Sequence, residues 1–208
     1  LFKTMYFASP KGDYRKLYYY NKACAFDIET TSTIINDKKY AWMYVWMLGI
    51  DGYCIVGRTW AELQTALDKI QEYCGLCENV RLPIYVHNLA YEFQFMKDRF
   101  RWAHIFALEE RKPVYCVTES GFEFRCSYRL TGMSLAKVGE NLRNYHVKKM
   151  VGDLDYSKIR HSGTPLTEEE WGYCVNDVLV VMAHIQECLE TEGLITRIPL
   201  TKTAYVRR

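Results

Sequence analysis

The sequence predicts an α/β fold, a mixed sheet flanked by helices. Two observations predict it. Three strand-like runs come first, joined as hairpins, and they are followed by a helix, a strand and a helix. Two long stretches, 59–74 and 167–191, carry apolar residues at helical spacing behind capping residues. With 208 residues, 49% of them hydrophobic, the chain has enough apolar surface for one domain with a real core, or a domain plus a tail.

Residues 1–20 are polar and tyrosine-rich and show no clear period, so they read as an N-terminal extension. KACAFDI is the first strand; YAWMYVWMLGI and YCIVG follow, with a turn between Gly49 and Gly52. TWAELQTALDKIQEYC forms a helix capped by Thr59, with Glu62 completing a capping box. RLPIYVHN (81–88) is a short buried strand, and LAYEFQFMKDRF is the helix after it. HIFALEE, PVYCVT and FEFRCSYRL, separated by RK and ESG, make a β-meander. SLAKVGENL (134–142) is a short helix capped by Ser134, and KKMVGDLDYSKIRHSGTP is a polar, turn-rich loop. In the last helix Thr167 and Glu170 form a second capping box, and Gly193 is the stop. The tail 193–208 contains Pro199 and no core pattern.

Composition excludes some classes of function. A net charge of +2 is too balanced to argue for nucleic acid through the global field, so any such contact must come from local clusters. No apolar stretch reaches the roughly 20 residues of a membrane helix, so no membrane partner is expected. The sequence opens without a signal-peptide pattern and begins with Leu1, which suggests a fragment or a processed product. The eight cysteines are scattered, several within apolar patterns, as expected of free thiols in a reducing, cytoplasmic setting. Cys74 and Cys77 have zinc or redox spacing but no second pair, so helix-end thiols are the simpler reading.

The residues that carry chemistry lie in three segments. In AFDIET, Asp27 and Glu29 are two apart in a strand and share a face. Two like charges about 4 Å apart repel by roughly 4 kcal/mol at an effective dielectric near 20. One is protonated, or a hard cation such as Mg²⁺ sits between them. A lone DxE is weak, because Asp27 as the last buried residue and Glu29 as an exposed one explains it as well. In the last helix Tyr173 and Asp177 are at i and i+4, amid a strongly apolar stretch. Asp177 is thus half-buried, able either to complete a metal site or to accept a core hydrogen bond. In YVHNLAYEFQFM a strand ends and a helix begins. Asn88 is a natural N-cap, and Glu92 is the acid of an otherwise apolar turn, where a solvated Glu is the ordinary reading.

Together, FDIET, HNLAYEF and YCVND resemble the three motifs of DEDD-type 3′→5′ exonucleases, which have an RNase H-like exonuclease fold; the tyrosine of the third motif marks the Tyr subclass. HNLxY is similar to the protein-primed family B DNA polymerases of phages and linear plasmids, and VGDLDY before TPLTEEEWGYCVND resembles that group's approach to its third motif. The resemblance covers scattered motifs over residues 23–190. It implies an exonuclease domain over 21–192, after the extension 1–20, and a connector over 193–208 toward a polymerase domain absent from this chain.

By that resemblance Asp27, Glu29, Glu92 and Asp177 hold two Mg²⁺ or Mn²⁺ ions, about 3.5–4 Å apart as in two-metal sites generally. Asp27 bridges them, Glu29 and Asp177 serve the nucleophile side, and Tyr173 orients the attacking water. Thr30, Asn88, Tyr91, Ser134, Leu135 and Tyr156 fall at or near positions that hold the 3′ end of single-stranded DNA, with the Tyr91 ring as a stacking surface. Two positions depart from the pattern. Glu92 stands where the family usually has Asp, and Val151 stands where a lysine is expected, with Lys148 or Lys149 as its substitutes. Lys158, Arg160 and His161 are further candidates for backbone phosphate, or simply a solvated loop. The implied partners are a DNA 3′ end, a polymerase domain in the same longer chain and a terminal protein primer, in host cytoplasm. Rival readings are a catalytically weakened single-strand clamp, a stand-alone RNA or DNA exonuclease, and a zinc or redox module on CGLC.

Overall fold

The computed structural model describes residues 4–7, 16–150 and 154–206, the first four as backbone only. Val151 and Gly152, where the expected lysine falls, lie outside the described residues, as does most of the 1–20 extension.

The backbone forms nine strands and six helices among these residues: β1 (Thr4–Phe7), β2 (Leu17–Tyr20), β3 (Cys24–Ile35), β4 (Lys38–Ile50), β5 (Tyr53–Gly57), α1 (Trp60–Cys74), β6 (Val80–Val86), α2 (Leu89–Met96), β7 (Trp102–Glu109), β8 (Lys112–Thr118), β9 (Phe122–Cys126), α3 (Ser127–Thr131), α4 (Leu135–Glu140), α5 (Glu168–Glu192) and α6 (Lys202–Val206). The main sheet runs β5-β4-β3-β6-β9-β8-β7. β3, β6 and β9 are parallel neighbours, and antiparallel strands flank them on both sides. This mixed sheet between helices is the RNase H-like α/β layout.

The sheet has two apolar faces. One packs Ala25, Val45 and Met47 against Cys174, Val178 and Met182 of α5. The other packs Phe26, Trp46 and Leu48 against Leu63 and Leu67 of α1 and Leu89 and Met96 of α2. Alternation along β4 breaks at one place. Tyr44 and Val45, consecutive residues, both belong to the α5 face. There the pairing skips, from Glu29↔Val45 to Thr30↔Met43. This is a β-bulge, which kinks the ladder and re-aims side chains beside it.

Helix ends follow the sequence. Thr59 and Thr167 each accept from the third residue of their helix, and Glu62 and Glu170 bond back to the cap backbone. Gly49 decides how closely α5 lies on the sheet. A Cβ there would stand 2.5 Å from Val178 Cγ1 and 2.6 Å from the Met182 sulfur. Only hydrogen fits between strand and helix.

Four expectations need correction. The first strand does not stop near Ile28. It runs on through TTSTII, because β4 offers a partner along the whole length. The two strands turn at Asn36 and Asp37, both at positive φ, as a two-residue hairpin requires. FEFRCSYRL is strand only to Cys126. Ser127–Thr131 is helical, held by Thr131 Oγ1 donating to the Ser127 carbonyl at 3.1 Å and ended by Gly132 in the left-handed region. Leu17–Tyr20 is a strand, with Leu17, Tyr19 and Tyr20 buried and a short parallel pairing to β6. The tail is not without core residues, since Ile195 and Ile198 are buried against the α5 face. Two isolated isoleucines carry no period that a sequence pattern reveals.

Candidate active site

Asp27 and Glu29 stand on β3, opposite the apolar Met47 and Val45. Glu29 is buried and Asp27 partly so. The close seat at Gly49 lays α5 over them. It brings Tyr173 and Asp177, one helical turn apart on α5 and both 9% exposed, to the same place. Glu92 arrives from α2 and is 4% exposed, so the solvated reading of this residue fails. It stands in the first turn of α2, where the helix dipole favours negative charge.

The four acids sense one another. Burial pushes the Asp27 carboxyl well above the usual range, and the charges of Glu92, Glu29 and Asp177 push it further. Burial raises Glu92 to about 8, against a side-chain hydrogen bond with Asp27. Burial and then Asp177 raise Glu29 to about 7, opposed by Lys149 and Arg160. Asp177 is raised by burial, against its bond to Lys149.

Lys149 Nζ donates to Asp177 Oδ2 at 2.8 Å and lies 5.6 Å from the centre of the Tyr173 ring. The Tyr173 hydroxyl is 3.3 Å from that of Tyr156. Glu92 Oε2 and Asp177 Oδ1 are buried with no hydrogen-bond partner. Buried acceptors without donors are costly, and a hard divalent cation with oxygen ligands would relieve both. The donor set therefore fits such an ion. Among the described residues, however, no group of three or more His, Cys, Asp or Glu stands ready-made to hold a metal. The Lys149 ammonium is the positive charge on Asp177 instead.

The strand ends complete the cleft. In open α/β sheets ligands sit beyond the carboxyl ends of parallel strands. His87, just past β6, faces Ser127 Oγ, just past β9, at 3.0 Å. Burial and then the positive field of Lys149 push His87 down to about 4, so it is neutral near pH 7. Asp27, His87, Leu135, Lys149 and Asp177 line one cavity of about 180 Å³.

The remaining candidates divide. Thr30 and Tyr91 share a short hydrogen bond between their hydroxyls. They line a second cavity with Glu29 and Tyr156. Asn88 is exposed at the start of α2, but its side chain does not cap the helix. The residue sits at φ +68°, a region Asn tolerates better than most, and its amide is left for another partner. Ser134 does cap α4, accepting from the Lys137 amide at 3.4 Å. Lys148 and Lys158 are exposed.

Arg160 does not serve as a solvated phosphate contact. It is 3% exposed, donates to Glu170 Oε1 at 2.5 Å and to the Asp155 carbonyl at 2.7 Å, and lies over the Tyr44 ring. His161 stacks on Trp42 with ring centres 5.2 Å apart. Arg58 pins the same loop by donating to the His161 and Thr164 carbonyls. Cys74 is buried at the end of α1 and Cys77 exposed, both as free thiols, and among the described residues no third metal ligand joins them.

Sequence reasoning missed His87, Phe95 and Lys39 as cavity-lining residues. Phe95 had a signal, since it follows Tyr91 by one helical turn and their rings lie 5.4 Å apart. Lys39 had none, because its place depends on the register of the β3–β4 hairpin.

Among solved structures, phi29 DNA polymerase complexed with single-stranded DNA superposes with a TM-score of 0.64 at 18% identity, covering 87% of this chain and 33% of that one. The fold is similar to part of phi29 DNA polymerase. The complex with primer-template DNA gives 0.64 at 16% identity, again over 87% of this chain. The ternary complex with incoming nucleotides gives 0.59 at 16%, over 84%. The chain spans about a third of the length of those polymerase chains. No protein-family model matches the chain, and no curated protein matches it. Among the described residues no helix is long and apolar enough to cross a membrane.

Proposed function

We propose that this chain is the 3′→5′ exonuclease domain of a protein-primed family B DNA polymerase, removing the terminal nucleotide of single-stranded DNA during proofreading. The domain occupies residues 21–192, with 1–20 as its extension and 193–208 leading toward the polymerase domain. The observation that carries the reading is a pair of buried oxygens without hydrogen-bond partners, Glu92 Oε2 and Asp177 Oδ1, on acids from two segments, with Asp27 lining the same cavity as Asp177. The likeness to a polymerase captured with single-stranded DNA supports it.

Asp27, Glu29, Glu92 and Asp177 are the residues that would hold two Mg²⁺ or Mn²⁺ ions. When bound, the ions supply neutralising charge for the phosphate and lower the pKa of an attacking water. The chain's own groups do the rest. The Tyr173 hydroxyl, positioned by Tyr156, orients the water toward phosphorus. Lys149, whose ammonium stands 2.8 Å from Asp177 Oδ2, is placed to meet a phosphate oxygen there, which gives it the role of the lysine missing at 151. Tyr91 stacks on the terminal base while its hydroxyl holds Thr30 in place. Asn88 offers an exposed amide to the strand end.

Oligonucleotides labelled at the 3′ or the 5′ end, incubated with and without Mn²⁺, test the reading. The 3′ label is released first, only with metal. Asp27→Ala lowers the rate by about 100-fold or more, the scale of losing one preorganised electrostatic group. Release from the 5′ end, or unchanged rates in the variant, overturns it. Slower release from an oligoribonucleotide argues against an RNA substrate.

A second reading, a single-strand clamp with weakened catalysis, is favoured by the Lys149–Asp177 ion pair. It predicts binding of single strands without mononucleotide release at any Mn²⁺ concentration.

A further inference from the structure

We propose that the cavity between the β3–β4 hairpin and α2 seats the strand upstream of its terminal nucleotide, with Lys39 holding one of its phosphates. The inference rests on the exonuclease reading and adds to it a binding residue and a substrate length. The cavity measures about 420 Å³ and is lined by Glu29 and Thr30 among others. Tyr91, Phe95 and Tyr156 give it aromatic walls. Tyr91 and Tyr156 are 45% and 67% exposed, so their rings face the open space. Aromatic walls beside a cation are the chemistry that holds single strands without reading sequence.

Hairpin register fixes where Lys39 stands. Ser32 pairs with Ala41 and Ile34 with Lys39. Thr30, Ser32, Ala41 and Lys39 therefore share one face of the ribbon. Ile34 is five residues beyond Glu29, about 17 Å along a strand. Lys39 is therefore too distant for the scissile phosphate and suits one further upstream. Among the residues lining the cavity, Lys39 is the cation and Glu29 the anion, so without Lys39 the cavity would repel a phosphate backbone. Among the described residues Lys39 forms no ion pair. Its neighbour Lys38 points to the opposite face of the ribbon by strand alternation.

The test compares Lys39→Ala with Lys38→Ala, which serves as the control. Binding of a fluorescent DNA hexanucleotide is measured without divalent ions across a salt series, and Mn²⁺-dependent cleavage is measured on a dinucleotide and a hexanucleotide. Lys39→Ala should weaken hexanucleotide binding several-fold and flatten the log–log salt slope by about 0.7, the effect of one lost phosphate contact on a single strand. Dinucleotide cleavage should be unchanged, and Lys38→Ala should match the parent protein. An unchanged slope in Lys39→Ala, or equal losses on both substrates, overturns the inference and leaves the exonuclease reading intact. If the hexanucleotide binds with the expected slope change but is never cleaved, the inference stands and the catalytic reading falls. If the parent protein binds no single strand, both fall.

Discussion

Glu92 shows what a side chain costs when it is kept for chemistry. It is an acid in an apolar helical turn, buried to 4% exposure, with one carboxylate oxygen unpartnered and the other end of the group against Asp27. Burial raises Glu92 from 4.5 to about 8, so near neutral pH the group must take up a proton as the chain folds, which opposes folding. Glu92→Gln keeps the shape and removes that cost. It should raise the melting temperature of the metal-free protein by roughly 2–4 °C, the effect of about 1 kcal/mol in a domain of this size. The same variant should lose Mn²⁺-dependent cleavage, as calorimetry and the labelled-end assay would show together. A lower melting temperature would mean that the four acids do not repel as the structure implies. At this scale the sequence was informative about identity and silent about placement. Period-two spacing put Asp27 and Glu29 on one face, and helical spacing paired Tyr173 with Asp177. Nothing local said that Glu92 is buried, because its burial comes from elements distant in the chain, among them β3 with Asp27.

Among the elements, α5 governs the site, and Gly49 governs α5. Gly49→Ala would press a methyl group onto Val178 and Met182. Overpacking of this kind costs about 1–3 kcal/mol. The helix carrying Tyr173 and Asp177 would move off the sheet, so cleavage should fall more than stability does. Denaturant unfolding and the end-label assay, run on the same preparation, separate the two effects. Both long helices were legible from their ends, through Thr59 with Glu62 and Thr167 with Glu170, since capping boxes are local chemistry. The β7–β8–β9 meander was legible for the same reason, through its turn residues. The bulge at Glu29 and Thr30, the continuation of β3 and the short helix after β9 were not, because each depends on which partner strand lies alongside. The same holds for Arg160, whose pairing with Glu170 and Tyr44 turns a solvent-like loop residue into a core one.

For the molecule as a whole, acid sensitivity centres on one buried ion network. Glu123 on β9 sits between Arg81 and Arg125, with contacts of 3.0 and 2.7 Å. Burial alone would raise its carboxyl, but Arg125 and then Arg81 outweigh burial and hold it below its ordinary 4.5. A depressed folded value means that its stabilisation is fully present above about 4.5 and is lost as pH falls through the folded value. Glu123→Gln strands the Arg125 guanidinium and should cost about 3–5 kcal/mol near pH 7. The penalty should shrink in acid, where the parent's Glu123 is itself protonated. A pH series of unfolding midpoints for both proteins checks this, and a constant difference between them would refute it.

Arg125 also donates to the Ile195 carbonyl, and Asn21 grips the same stretch through its amide, donating to the Gly193 carbonyl and accepting from the Ile195 amide. Asn21 stands just ahead of β3, the strand that bears Asp27. A tug on the chain after Ile195 is thus delivered to the root of the strand carrying the first acid, as a lever passes load through its pivot.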